Sequence, residues 1–323
     1  MATFTRLALV RATSVALVCS VLWGASDDPT SERLRIVATT GMIGDMVRGI
    51  VADKADLETL MGEGVDPHLY KATVSDVRAL GKADVVVSNG LMLEGRMSDI
   101  FPKLTQRGAL VIEVGSALDD GVLLHPEGAH GHPDPHIWMD PTLWARCARY
   151  VAKKLAERDP ANATTYRVNA ERMCTEWAAA DARIARAIGT VEANRRVLVT
   201  AHDAFSYFGR KYSVTVMGIQ GVSTESESGL ADIRRLVDIL VERKIPAVFV
   251  ETSVSEKNVR ALIEGAQARG HALTIGGSLY SDAMGKAGTK EGTYIGMIEA
   301  NASTIVRALG GDESVFRPSE APK

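Results

Sequence analysis

Two histidines, His68 and His136, end the same tripeptide, Asp-Pro-His, and each is followed by an apolar and then an aromatic residue, over residues 66–70 and 134–138. Proline fixes its own φ and keeps the preceding residue out of the helical region. Each histidine is therefore expected on a stiff, extended loop. A single loop histidine is usually only solvated, but the repeated frame favours a shared role, and imidazole nitrogen is a common metal ligand.

Two more candidate ligands come after predicted strands in the second half of the chain. His202 follows the apolar run 196–201, and Asp282 lies in a loop after a strand predicted to end near Ile275. In open α/β sheets, ligand-binding groups lie at the carboxyl ends of the strands. Each residue also has an ordinary explanation, because histidines near helix N-termini and aspartates in turns are common without any function.

Together His68, His136, His202 and Asp282 offer three imidazole nitrogens and one carboxylate. Four such ligands complete a tetrahedron around zinc, and a carboxylate that binds through both oxygens would also suit manganese. The Irving–Williams order predicts tighter zinc binding in either case. A filled ligand shell leaves no position for a reactive water, so the set predicts one divalent ion held as cargo, and no hydrolysis.

Three further histidines, His125, His130 and His132, lie just before the second Asp-Pro-His tripeptide. A short histidine-rich tract can bind metal weakly. It can equally be a flexible loop of histidines and acidic residues. Both interpretations of this stretch, as an accessory metal loop or as an ordinary loop, stay open.

Apolar, β-branched runs alternate with helical patterns along the chain, which predicts an α/β fold with parallel sheets and helices on both faces. Residues 161 to about 191 contain no proline, and their only glycine is Gly189, near the end. This stretch predicts one helix of roughly 45 Å that links two lobes. The predicted strands are 35–39, 84–88, 109–113, 196–201, 214–218, 247–251 and 273–275, and the predicted helices are 43–52, 143–158, 203–211, 229–243, 256–269 and 292–309.

Five segments follow from these patterns. We expect a leader, a first metal-binding lobe, a linking backbone helix, a second metal-binding lobe and a tail. Two of the candidate metal ligands fall in each lobe. The segments are 1–26, 33–160, 161–192, 193–310 and 311–323.

The leader has the features of a signal peptide, because Arg6 and Arg11 are its only charges and they precede or open an apolar run that ends in small residues. Its removal would change the net charge from −3 to −3 − 2 = −5. We therefore expect export, either to the periplasm or tethered to the outer face of the cytoplasmic membrane. An uncleaved anchor and lipidation at Cys19 are the alternatives.

The remaining composition is that of a soluble globular protein, with 46% hydrophobic and 24% charged residues among 323. The negative net charge disfavours nucleic acid as a partner, because phosphate neutralisation needs clustered Lys and Arg. Cys147 and Cys174 are expected to be small buried thiols, with a disulfide between them as the alternative.

Four segments together resemble a known family: GVDPHLY at 64–70, VLVTAHDAF at 197–205, GVST at 221–224 and YSDAMG at 280–285. The chain is similar, from about Ile36 to Leu309, to the metal-binding receptors (solute-binding proteins) of bacterial zinc/manganese ABC importers, cluster A-I. The resemblance implies two (β/α)4 lobes with parallel sheets, joined by one long backbone helix. It also implies a metal ion between the lobes, held by His68, His136, His202 and Asp282.

The resemblance also implies a membrane permease as partner, a separate ATPase and no catalytic activity, and we expect a monomer. The third ligand position varies in the family between histidine and glutamate, so His202 resembles zinc-preferring and dual-specificity members. The short histidine loop points away from the zinc-dedicated members. Asp66, Asp134 and Glu251 are expected to orient the imidazoles through their other ring nitrogen, and a direct-ligand role for Glu251 stays open.

Two other functions are considered beside metal capture. One is a secreted zinc-dependent hydrolase with Glu251 or Asp203 as general base, although the sequence contains no HExxH. The other is a metal-binding surface adhesin. The chain also lacks GxxxxGK[ST], so ATP hydrolysis by that route is not expected of it.

Overall fold

The computed structural model describes Met1 and residues 33–127, 129, 131–225 and 229–316. The predicted signal peptide, His130 and the end of the predicted tail lie outside the described residues. The strands are β1 (Leu34–Ala38), β2 (Ala55–Thr59), β3 (Val85–Ser88), β4 (Leu110–Glu113), β5 (Val197–His202), β6 (Thr215–Gln220), β7 (Ala247–Glu251) and β8 (Thr274–Leu279). The α-helices are α1 (Gly41–Val51), α2 (Val74–Lys82), α3 (Phe101–Gln106), α4 (Pro141–Arg158), α5 (Ala163–Gly189), α6 (Ser206–Tyr212), α7 (Leu230–Glu242), α8 (Lys257–Ala268) and α9 (Tyr294–Ala308).

The strands are parallel in both halves of the molecule. The first half has one sheet in the order β2-β1-β3-β4. In the second half β5 pairs with β6 and β7 pairs with β8, and β5 lies beside β7. Since parallel strands end at the same edge of a sheet, the loops that follow them gather on one side. The predicted α/β fold with parallel sheets is confirmed.

Helix α5 contains 27 residues, which corresponds to about 40 Å of helix. It packs against α4 and α1 of the first half and against α9 of the second. Its buried face includes Met173, Trp177 and Ile184, which belong to a single apolar core that contains residues of both halves. The predicted long helix is therefore present, and it carries a core that is continuous across the two halves.

Strand β8 runs further than the sequence indicated. It continues through Gly276 and Gly277 to Leu279, with a register shift opposite Phe249. Gly277 has φ +150°, and a Cβ there would overlap the Thr304 side chain, while a Cβ on Gly276 would meet Phe249 and Ala308. The two glycines therefore allow the strand to pass close to α9 instead of ending it, so the predicted end near Ile275 is wrong.

Three elements were not predicted, namely β2, α2 and α3. The first of these has the sequence Ala-Asp-Leu-Glu-Thr and forms an edge of its sheet, so it lacks the apolar run of a buried strand. Cys147 and Cys174 are both buried and free, in agreement with the interpretation as unpaired thiols. Within the described residues, no helix is both long enough and apolar enough to cross a bilayer.

Candidate metal centre

The four predicted ligands come together in one buried cluster. His68 lies between β2 and α2, His136 lies just before α4, His202 is the last residue of β5, and Asp282 follows β8. One ligand atom from each lies within 4.8 Å of those of the other three. Their residues are between 0% and 4% exposed, so the cluster is closed to bulk solvent.

The shortest distances between ligand atoms involve Nε2 of His136 or Nε2 of His202. His136 Nε2 lies 3.4 Å from His68 Nε2 and 3.4 Å from His202 Nε2. The Asp282 carboxylate bridges two rings, with Oδ1 3.2 Å from His136 Nε2 and Oδ2 3.1 Å from His202 Nε2. Ligands at zinc bond lengths on a tetrahedron are about 3.3–3.5 Å apart, so these distances fit one shared ion.

Asp282 is a buried carboxylate that lacks well-directed hydrogen bonds within the described residues. Among the described residues, neither of its carboxylate oxygens has a hydrogen-bond partner of suitable direction, although both lie close to ring nitrogens. A buried carboxylate without hydrogen bonds is unfavourable unless it is paired or coordinates a metal. Burial alone would raise the pKa of Asp282, but the adjacent His202 and His136 rings outweigh burial and hold that pKa well below its usual value. The Asp282 carboxylate is therefore an anion whose oxygens face the ring nitrogens of the cluster.

Asp134 fixes the orientation of His136. One of its oxygens accepts the His136 backbone N–H at 2.9 Å and lies 2.7 Å from ring Nδ1. Since a carboxylate accepts, Nδ1 keeps a proton and Nε2 is the ring nitrogen that faces the cluster. Burial lowers the pKa of His136, but the charge and hydrogen bond of Asp134, helped by Asp282, outweigh it and raise the pKa to about 9.

Glu251, the last residue of β7, fixes the orientation of His202 in the same way. Its Oε1 accepts the His202 backbone N–H at 2.8 Å, and its Oε2 lies 2.6 Å from ring Nδ1. Both oxygens are thus engaged behind the ring, on the side away from Nε2. Burial lowers the pKa of His202, but Glu251 and Asp282 together raise it well above the ordinary value.

His68 is held differently. Asp66 accepts the backbone N–H of His68 at 2.9 Å, not a ring N–H as expected. The geometry is that of an aspartate bonding to the backbone two residues later, which the intervening proline favours. The other Asp66 oxygen accepts the Thr224 hydroxyl at 2.6 Å. Burial lowers the pKa of His68 to about 3, against the opposing charge of Asp282.

The comparisons with known proteins agree with this site. Residues 36–308 match the family model described as zinc-uptake complex component A, periplasmic (ZnuA). The chain belongs to the ZnuA family. It is 44% identical over 288 residues to the zinc-binding protein TroA of Treponema pallidum, covering 89% of this chain and 92% of that protein. It is also 44% identical over 278 residues to the manganese-binding lipoprotein MntA of Bacillus subtilis, covering 86% and 90% respectively.

A solved structure of the Treponema pallidum TroA superposes with a TM-score of 0.83, covering 86% of this chain and 99% of that chain. The ZnuA family consists of non-enzymatic substrate-binding components of ABC transporters, so the hydrolase interpretation is excluded. As a ZnuA-family protein the chain works outside the cytoplasm, either in the periplasm or as a lipid-anchored protein.

Within the described residues, the accessory histidines and Asp203 do not belong to the group of four ligands. The His125 ring is 3.0 Å from an oxygen of Asp120, at a partly exposed position. His132 is exposed and borders a cavity beside His68. Asp203 accepts the Ser206 hydroxyl at 2.6 Å. Among the described residues, His125 and His132 are not part of the group that could hold an ion.

Sequence reasoning gave no role to the residues that tie the ligand loops together. The indole N–H of Trp138 donates to the Ser281 carbonyl at 3.0 Å, which joins the His136 loop to the Asp282 loop. Asn89 donates to the Pro135 carbonyl at 2.9 Å. These partners are far apart in sequence, and only the adjacency of Trp138 and Ser281 to predicted ligands could have drawn attention to them.

Proposed function

We propose that this chain captures one divalent transition-metal ion, zinc or manganese, outside the cytoplasm and delivers it to the permease of an ABC importer. The observation that carries the proposal is the buried group of three Nε2 atoms and one carboxylate, with nearest separations of 3.1–3.4 Å. Those separations suit four ligands around a single ion.

The proposed ligands are His68, His136, His202 and Asp282. Asp134 and Glu251 hold two of the rings so that Nε2 faces the ion, as partners behind metal-binding histidines generally do. A closed shell of protein ligands leaves no position for an attacking water. The site therefore supports holding an ion, in agreement with the non-enzymatic character of the family.

Zinc is proposed as the ion bound more tightly, with manganese as an alternative cargo. Three nitrogens and one oxygen suit zinc, and the Irving–Williams order places zinc above manganese for such a site. The relatives support both ions, because TroA of Treponema pallidum is named a zinc-binding protein and MntA of Bacillus subtilis a manganese-binding lipoprotein. The ion carried in the cell then depends on which one the compartment supplies.

Family membership implies the permease partner, and we further propose that the chain acts as a monomer that does not bind nucleic acid. The site supports a monomer because both halves of one chain supply ligands, so a second copy is not required to complete it. The net charge of −3 supports the absence of a nucleic-acid partner.

Elemental analysis of protein purified without added metal, followed by zinc–manganese competition calorimetry, tests the proposal. We expect one ion per chain and tighter binding of zinc. His202→Ala and His68→Ala should each weaken binding by orders of magnitude, because each removes one of four bonds. A His125→Ala/His132→Ala double variant is the matched control, and it also tests the accessory metal loop. Wild-type affinity in His202→Ala would contradict the assignment.

A further inference from the structure

Three of the four ligands are held by buried hydrogen bonds, some within one half and some between the two halves. Trp138 donates to the Ser281 carbonyl, and the Tyr294 hydroxyl donates to the Trp138 carbonyl at 2.8 Å. Because Trp138 follows His136 by two residues and Ser281 precedes Asp282, these bonds fix the two ligand loops against each other. His202 is fixed in turn by Glu251 from the neighbouring strand.

His68 lacks comparable support. It lies in residues 61–73, which contain neither helix nor strand. Within the described part of the chain, its ring has no carboxylate behind it, and its Nε2 lies 3.4 Å from His136 Nε2. Of the four ligands, His68 alone borders a cavity of about 210 Å³, which lies between the loops of the two halves. His68 is therefore the least firmly held of the four ligands, and it lies on the side of the site that faces this cavity.

A loop of the second half, which contains Thr224 and Glu225, lies on the same side of the site as His68. Thr224, only 8% exposed, donates its hydroxyl to Asp66 at 2.6 Å, and Asp66 in turn accepts the His68 backbone N–H. Glu225, the next residue, pairs with Arg96 at 2.8 Å. That pair is substantially exposed, so water and salt weaken it. The shielded bond from Thr224 to a charged carboxylate is the stronger link.

We propose that Thr224 is a positioning residue, whose hydrogen bond to Asp66 holds His68 in place as the ligand that closes the site. The ion then leaves by losing His68 first, on the side of the cavity, while His136, His202 and Asp282 stay together. This inference rests on the proposed function, and it adds the order in which the ligands dissociate from the ion.

Stopped-flow mixing of zinc-loaded protein with excess chelator measures the dissociation rate. Thr224→Val removes the hydroxyl at nearly constant volume, and it should raise the dissociation rate about tenfold, as expected for the loss of a hydrogen bond to a charged group. The association rate should change little, because the ion meets the other three ligands first. Thr224→Ser keeps the hydroxyl and should behave as wild type. Ser223→Ala, in the same loop but without a bond to Asp66, is the matched control.

A second measurement separates this role from a general loosening of the loop. If Thr224 acts through Asp66, Asp66→Ala and the double variant Asp66→Ala/Thr224→Val should release zinc at the same rate. Additive effects would overturn the proposal, and so would a wild-type dissociation rate in Thr224→Val or a faster one in Ser223→Ala. Thr224→Ala replaces the valine variant if the latter does not fold. Wild-type protein that binds no zinc would instead overturn the proposed function.

Discussion

Glu251 holds His202 by two points at once, with one oxygen on the backbone N–H at 2.8 Å and the other 2.6 Å from ring Nδ1. The last residue of β7 therefore sets both the position and the ring orientation of the last residue of β5. Because the two strands are neighbours, the distance between carboxylate and ring is set by the spacing of the sheet.

Glu251→Gln should weaken zinc binding by about 10- to 100-fold, the usual effect of changing a partner behind a metal-binding histidine. The amide keeps the shape of the side chain but removes the negative charge that makes the ring a better donor to the ion. Calorimetry with a competing chelator measures the change. Glu264→Gln, at an exposed position on α8, is the control, and an unchanged affinity in Glu251→Gln would contradict this role.

Trp138→Phe should lower the free energy of unfolding of the metal-free protein by about 1–3 kcal/mol beyond the loss of packing, because the buried Ser281 carbonyl loses its donor. Urea unfolding measures this quantity. Trp144→Phe is the matched control, since Trp144 is equally buried but its indole N–H has no hydrogen-bond partner in the part of the chain that the structure describes. Equal destabilisation by the two substitutions would show that the Trp138–Ser281 bond contributes nothing.

Zinc binding should release protons at neutral pH, and the apparent affinity should rise with pH until about 9. The pKa of His136 is raised to about 9 because Asp134 and Asp282 outweigh burial, and that of His202 is raised by Glu251 and Asp282 in the same way. Both rings are therefore imidazolium ions in the metal-free protein at pH 7, and the ion must displace the proton on Nε2 of each. The pKa of His68, about 3, leaves it neutral.

Calorimetry at pH 7 in buffers of different ionisation enthalpy counts the protons released. In Glu251→Gln the pKa of His202 should fall, so fewer protons should be released than in the wild type. An observed heat that does not depend on the buffer would contradict the proposed protonation of His136 and His202.

Much of the site could be predicted from sequence because its ligands follow simple local rules. The Asp-Pro-His tripeptides place His68 and His136 in loops, and strand ends place His202 and Asp282 at one edge of the molecule. The backbone at these histidines is not extended as expected, because His68 lies in a turn and His136 has φ −79° and ψ 43°. Four residues of suitable chemistry at those places were enough to predict a shared metal ion. Their nearest separations of 3.1–3.4 Å depend on the packing of the two halves, which no local pattern contains.

The parts that were missed depend on contacts between distant residues. The partners Trp138 and Ser281 are 143 positions apart, and Asp66 and Thr224 are 158 apart. The extension of β8 through Gly276 and Gly277 follows from the close approach of α9, which a run of glycines does not reveal. In each case the tertiary contact, and not the local preference, decides the structure.

Metal binding should leave the overall dimensions almost unchanged, because α5 braces both halves. On the side of the first half, Asn169 donates to the Ile50 carbonyl at 3.0 Å, and on the side of the second, Arg183 pairs with Glu299 at 2.7 Å. A continuous packed helix resists the hinge closure seen in receptors with flexible linkers. Small-angle scattering with and without zinc should show no resolvable change in a radius of gyration of about 20 Å. Magnesium, which requires oxygen ligands, is the matched control ion, and a decrease of several ångströms on adding zinc alone would show that the halves close as rigid bodies about α5.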